Sequence, residues 1–233
     1  MLPTSPRRGK VRRSNGPVLL AVVAVIALSG VEGSAAGLQL TSGGIVLAER
    51  GYGLPTDCML AAVSDTHVRR DQPGSSFGSA QTLLVNNSSA STSRALLRFD
   101  TGQCDPAIPA DAIIHSATLS LTTSSLLSGA SRSYLLWRAT AAWGESTTWA
   151  GQPTVATAST SSATVPLGTL AGTAVGWSVV GDVQAFVAGD LANHGWRLSD
   201  AVEDGTLLLS AQLAFHSREA ASLSPQLTIT YAP

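Results

Sequence analysis

From residue 58 onward the chain is a succession of short apolar or alternating runs, separated by clusters of Gly, Pro, Ser, Asn and Asp. A period of two places alternate side chains on opposite faces of an extended backbone. A helix would instead need apolar positions every three to four residues. Ile113–Leu121 shows the pattern well: Ala117, Leu119 and Leu121 point one way, Thr118 and Ser120 the other. Leu60–Val63, Thr66–Arg69, Thr82–Val85, Arg94–Phe99, Tyr134–Ala139, Gly195–Ser199, Thr206–Phe215 and Gln226–Tyr231 also read as strands, with turns at Gln72–Ser76 and Asn86–Ser89. Many short strands at this spacing predict an all-β sandwich. Only Val179–Val187 departs from it. There Val179, Val183, Phe186 and Val187 fall at helical spacing, so one short helix packed on a sheet is expected. No repeat of 20–50 residues suggests a solenoid or propeller.

The N-terminus has a different character. Arg7, Arg8, Lys10, Arg12 and Arg13 form a basic stretch, Pro17–Ser29 is apolar, and Ser34-Ala35-Ala36 offers small residues for a peptidase. This is the pattern of a secretory signal peptide over 1–36, cut near Ala36. The rival reading is an uncleaved anchor, which would bring a membrane in as partner. The run is shorter than the roughly 20 apolar residues a span needs, which favours cleavage. Glycine-rich residues 37–57 read as a linker, and 58–233 as the sandwich domain. Export changes the meaning of the two cysteines, Cys58 and Cys104. In an oxidising compartment a lone pair is most simply one disulfide.

Beyond residue 36 there are nine cations, all arginine, against fourteen carboxylates. Nucleic-acid binding needs a basic patch to neutralise phosphates, and this balance argues against it. Catalytic patterns are scarce. The four histidines are scattered, and there is no HExxH, CxxC or phosphate-binding glycine loop. Gly74-Ser75-Ser76-Phe77-Gly78 fits G-x-S-x-G, but a nucleophile elbow needs an apolar strand before it and a helix after it. Arg70-Asp71-Gln72-Pro73 precedes it and a strand follows, so the match reads as a turn. Asp65, Glu145 and Glu219 are candidate acids, though sequence does not show whether any two face each other. The run Asp200–Gly205 holds Asp200, Glu203 and Asp204, but fits no EF-hand, and a solvated loop is the simpler reading. A structural calcium is therefore not predicted, metal content stays open, and no cofactor is expected. Asn86-Asn87-Ser88-Ser89 contains two overlapping glycosylation sequons.

Trp137 and Trp177 sit in or beside apolar runs and read as core. Trp143 and Trp149 lie in a polar, turn-rich stretch. Two readings stand for that pair: structural packing, or rings exposed to stack on a flat ligand face such as a sugar.

Several segments, taken in order, resemble a known family. They are Ser64-Asp65-Thr66-His67-Val68 with Phe77-Gly78-Ser79; Leu83-Leu84-Val85 leading to Ser93–Asp100; Ile108-Pro109-Ala110 with Ser116–Leu119; Trp143, Glu145, Trp149 and Gln152-Pro153; Val183–Phe186; Asn193–Trp196; and Ser217–Ala220 with Pro225–Tyr231. The set is similar to the DNRLRE domain, also classed as carbohydrate-binding module family 96, over about residues 59–232. The resemblance implies a jelly-roll-like sandwich in secreted or cell-surface proteins, with some members associated with alginate-like polysaccharides. The chain departs from the family at two positions: Ser178 stands where an Asp usually follows the Trp before the helix, and Phe186 where a Trp is common.

The leading expectation is a non-catalytic polysaccharide-binding module, secreted or at the cell surface. A structural surface or matrix protein built on the same sandwich is the alternative, favoured by the lack of room for an attached catalytic domain. For the ligand, strand parity supplies a candidate face. If Ala95, Leu97 and Phe99 point inward, Arg94 and Arg98 share the outward face, about 13 Å apart. By similar parity Arg138 is placed outward, opposite Trp137, and Trp143 or Trp149 could stack on a ring. Guanidinium groups bind carboxylates bidentately, which suits a uronate-containing polymer. Against this, the body is net negative and offers no long-range attraction to a polyanion. Arg98 also has a structural reading, as the partner of an internal carboxylate.

Overall fold

The computed structural model describes residues 54–127, 129–203 and 211–232 in full, and the backbone alone of 36–41 and 44–49. The basic and apolar segment read as an export signal lies outside the described residues. Within the stretch read as a linker, Ala36–Thr41 (β1) and Gly44–Glu49 (β2) pair antiparallel as a hairpin.

The sandwich is built from Thr56–Ala61 (β3), Ser64–Arg69 (β4), Thr82–Asn86 (β5), Ser93–Arg98 (β6), Ile113–Thr122 (β7), Arg132–Arg138 (β8), Ser161–Val165 (β9), Ala174–Ser178 (β10), Trp196–Asp200 (β11), Gln212–His216 (β12) and Gln226–Ala232 (β13). One helix, Val180–Ala188 (α1), precedes β11. A four-stranded sheet runs β10-β7-β13-β3. A seven-stranded sheet runs β12-β5-β6-β11-β8-β9, with β4 also paired to β6. The pairings are antiparallel.

The core fills the space between the two sheets. The four-stranded sheet contributes Ala117, Leu119, Leu121, Trp177, Leu227 and Ile229; the other contributes Leu97, Tyr134, Leu136, Trp196, Leu198 and Phe215. Alternation decides which residues go in: on β7, Ala117, Leu119 and Leu121 are buried while Thr118 is exposed. Each large apolar side chain taken fully out of water contributes about 1.5–3 kcal/mol. Trp177 Nε1 donates to the Tyr134 carbonyl at 3.1 Å, so one of the core's two buried indoles also carries a polar link between the sheets. Cys58 on β3 and Cys104, just after β6, form the expected disulfide, with Cα atoms 5.6 Å apart.

α1 buries Val183 and Phe186. Phe186 packs on Trp196 with ring centroids 5.5 Å apart. The helix ends at Gly189, whose φ of +79° lets its N–H reach back to the Ala185 and Phe186 carbonyls. Asp182 in the first turn accepts from Trp196 Nε1 at 2.7 Å and from Thr160 Oγ1 at 2.6 Å, and pairs with Arg138 Nε at 3.3 Å. Ser178, by contrast, is exposed on β10.

Two strands escape the sequence pattern. β9 (SSATV) and β10 (AVGWS) are edge strands of small and polar residues, with too few apolar positions to announce themselves. The expected strand Thr206–Phe215 is found as Gln212–His216; residues 204–210 lie outside the described set.

Candidate functional site

The register of the seven-stranded sheet sorts its side chains by face. Leu97, Trp196 and Arg138 lie in one row across β6, β11 and β8, and this row faces inward. Leu96, Arg197 and Trp137 form the next row and face outward, with Thr66 on β4 continuing it. Two expectations are corrected by this. Trp137 is a half-buried ring on the outward face, its Nε1 donating to Ser199 Oγ at 3.1 Å, and is not a core residue. Arg138 turns inward to the Asp182 ion pair, so it stands on the face opposite to Arg94 and Arg98. The two errors are one: parity ties the neighbours, and placing one on the wrong face moves both.

Arg94 and Arg98 do project outward, flanking the fully buried Leu96. Arg197 on β11 stands opposite Leu96 and so diagonal to both arginines, a placement within reach of long side chains. Arg94 lies over the Trp149 ring, 4.6 Å from its centroid, and donates to Gln152 Oε1 at 2.7 Å. Its Nε and Nη2 clasp the two Glu203 oxygens at 2.8 and 2.5 Å. Arg197 sits over Trp137, 5.9 Å from the centroid, and its buried Nε has no hydrogen-bond partner. Desolvation first, and the nearby Arg94 charge second, push Arg197 down to about 10, with Glu203 pulling the other way. Two acids of the run depart from the solvated reading: Asp200 is buried and paired with Arg132, and Glu203 is paired with Arg94, while Asp204 lies outside the described residues.

Arg98 donates to Ser64 Oγ at 3.2 Å, and among the described residues no carboxylate lies within ion-pair distance of it. Its reading as the partner of an internal carboxylate is thus overturned. It lines an open cleft of about 350 Å³ with Val63, Phe99, Asp100, Gln103 and Asn193. Trp143 is fixed near that end of the sheet, its Nε1 donating to the His194 carbonyl at 2.7 Å. Gly195 makes the corner possible: its φ is +72°, and an added Cβ would stand 2.1 Å from the Leu97 carbonyl oxygen. The sheet therefore gathers Arg94, Arg98 and Trp149 as expected, brings Trp143 to one end, omits Arg138, and adds Arg197, Trp137 and Glu203. Arg197 had a signal in sequence, since it alternates between two core residues, Trp196 and Leu198, as Arg98 does between Leu97 and Phe99.

The carboxylates Asp65, Glu145 and Glu219 also converge, on Arg218 rather than on open space. Arg218 donates through its backbone N–H to Asp65 Oδ2 at 2.8 Å, through Nε to Glu219 at 2.7 Å, and pairs with Glu145 at 3.3 Å. Burial, with repulsion from Glu219, pushes Asp65 up to about 7 against the Arg218 backbone donor. Beside it His67 stacks on Phe77 at 4.4 Å, and burial with the Arg69 charge pushes it down to about 4. The G-x-S-x-G match is a turn: an added Cβ at Gly78 would stand 2.4 Å from Glu145 Cβ, so the turn packs directly on that segment. Asn86 and Asn87 of the sequons are buried, with Asn87 Oδ1 accepting from the Ala211 N–H. Among the described residues no group of three or more His, Cys, Asp or Glu could hold a metal ion, and no helix is long and apolar enough to cross a membrane.

A β-sandwich whose broader sheet carries half-buried indole rings interleaved with guanidinium groups has the build of a sugar-recognising module. Rings stack on the flat faces of sugars, and Arg forks bind their anionic or hydroxyl groups. Residues 56–231 match the family model of carbohydrate-binding module family 96, and the chain belongs to that family. No curated protein matches it.

Proposed function

We propose that the chain is exported and acts outside the cell, or on its surface, as a non-catalytic module that binds a uronate-containing polysaccharide along the outward face of the seven-stranded sheet. The observation that carries the reading is the cation balance of that face. Of the eight arginines described, Arg69, Arg94, Arg132, Arg138 and Arg218 are ion-paired. Arg98 and Arg197, two of the three that are not, stand on the same outward face, with Arg197 beside Trp137. A partly desolvated guanidinium without a carboxylate is costly, and a ligand carboxylate supplies the missing partner. Trp137 and Trp149 flank the arginines as stacking surfaces. Absence of catalysis is supported by the convergent carboxylates, which are engaged by Arg218 with Asp65 wholly enclosed. Export is supported by the N-terminal pattern and fits the Cys58–Cys104 bridge.

Affinity electrophoresis at low salt on polygalacturonate, polymannuronate and neutral xylan tests the reading. The protein should be retarded by an acidic polymer, and Arg197→Ala should weaken retardation about tenfold with little loss of thermal stability. Retardation by no polysaccharide, with the fold intact, would favour the structural surface-protein reading.

A further inference from the structure

The proposed binding face contains an acid of the chain itself. Glu203 lies 109 positions from Arg94 in sequence, yet both its oxygens are clasped by the Arg94 fork at 2.8 and 2.5 Å. A sugar carboxylate would use the same side-on, two-point geometry. Arg94 is fixed from other sides as well, by the Trp149 ring at 4.6 Å and by Gln152 Oε1 at 2.7 Å, and Gln152 is itself held by the Trp149 carbonyl at 3.1 Å. Arg94 therefore keeps its place if Glu203 leaves. Neighbouring Arg197 feels both groups, destabilised by Arg94 and stabilised by Glu203, and its buried Nε remains without a partner. One carboxylate thus serves two guanidiniums and satisfies only one of them.

We infer that Glu203 occupies the Arg94 position that a glycan carboxylate takes on binding, and so acts as a resident competitor that sets affinity and selectivity for acidic over neutral chains. The inference deepens the binding reading and rests on it. Its physical content is an exchange. A glycan carboxylate arriving at Arg94 displaces Glu203 to solvent, where the freed carboxylate is hydrated, and the ligand gains only the difference between the two pairings. A neutral glycan that stacks on Trp137 or Trp149 without touching the fork owes nothing to this exchange. Removing the competitor should therefore change acidic binding selectively.

The test compares the full protein with Glu203→Gln and Glu203→Ala, and with the double variant Glu203→Gln/Arg94→Ala. Asp111→Asn, an exposed position, controls for the added unit of positive charge. Probes are polygalacturonate and neutral xylan in affinity gels, each normalised to a gel without polysaccharide, with thermal midpoints measured alongside. Expected is about tenfold tighter binding of polygalacturonate by both Glu203 variants, with xylan binding within about twofold of the parent. The double variant should lose the gain, and Asp111→Asn should show none. Unchanged or weaker polygalacturonate binding in the Glu203 variants, beside a parent that binds it, overturns the competitor role and leaves the binding reading standing. An equal gain in Asp111→Asn overturns it too, since net charge then explains the effect. Failure of the parent and every variant to bind any polysaccharide overturns both.

Discussion

Asp65 and His67, two residues apart on β4, should place opposite and nearly cancelling pH dependences in the stability of the fold. Asp65 is completely buried and is pushed up to about 7 from the usual carboxylate range, mainly by burial. Because its folded pKa lies above its unfolded value, the native state holds a proton that the unfolded chain releases. That contribution is full below about pH 4 and disappears as pH rises to about 7. His67 is pushed down to about 4 by burial and by Arg69, so the native state lacks a proton that the unfolded chain binds below its ordinary value near 6.5. Its contribution is full above that value and is lost as pH falls toward 4. Between about pH 4 and 6.5 each group changes stability by about 1.4 kcal/mol per pH unit, with opposite signs. The pair therefore leaves the protein nearly flat across this window. Asp65→Asn keeps an acceptor for the Arg218 N–H and imitates the protonated acid, which exposes the histidine slope: stability should rise by about 3 kcal/mol from pH 4 to 6.5. His67→Gln should expose the other slope, with stability falling by about 4 kcal/mol from pH 4 to 7. The double variant should be flat again. Urea unfolding followed by tryptophan fluorescence, at constant ionic strength in half-unit steps, gives the four profiles. An Asp65→Asn profile parallel to the parent's would refute the assignment, because it would mean Asp65 is ionised in the native state throughout.

Other features carry direct tests. Reduction, or Cys58→Ser with Cys104→Ser, should lower stability by up to about 4 kcal/mol through the freed 46-position loop, read from urea midpoints with and without reductant. Gly195→Ala should cost about 3 kcal/mol or more, since it combines a positive φ with a Cβ placed against the Leu97 carbonyl; a thermal midpoint near the parent's would contradict the close approach. Asp182→Ala should cost about 3 kcal/mol by orphaning Arg138 and the Trp196 indole N–H together, and should also shift tryptophan emission. Intact-mass measurement of exported protein should find a chain beginning near residue 37, whereas a retained apolar segment in the membrane fraction would make it an anchor.

The sandwich was legible because its inner faces are coded by alternation, a local signal. β7 from Ser116 onward and β13 up to Tyr231 alternate cleanly, and the one helical period in the body became α1. β9 and β10 were illegible for the complementary reason. As edge strands of opposite sheets they carry few core side chains, so Ser161–Val165 and Ala174–Gly176 resemble loop. Partner strands hold them in the sheets, and pairing across 25 or more positions leaves no mark in a local window.

The proposed binding face was half legible, and the missing half follows from geometry. Along one strand, parity joins Arg94 and Arg98 to a common face, and sequence sufficed for that. Across strands, parity fixes only which neighbours share a face, leaving the choice of face to register. Trp137 looks inward by type, being large and apolar, yet Tyr134 and Leu136 of the same strand take the core. With Trp137 outward, Arg138 is forced in, where Asp182 meets it. The same choice puts Arg197 out beside Trp137, bringing to the face a cation whose Nε has no partner. Glu203 was beyond reach altogether, since only the closed sheet sets its carboxylate on Arg94. Glu203, which the sequence pattern placed in a solvated acidic loop, is in the folded chain the counter-charge of Arg94 on the proposed binding face.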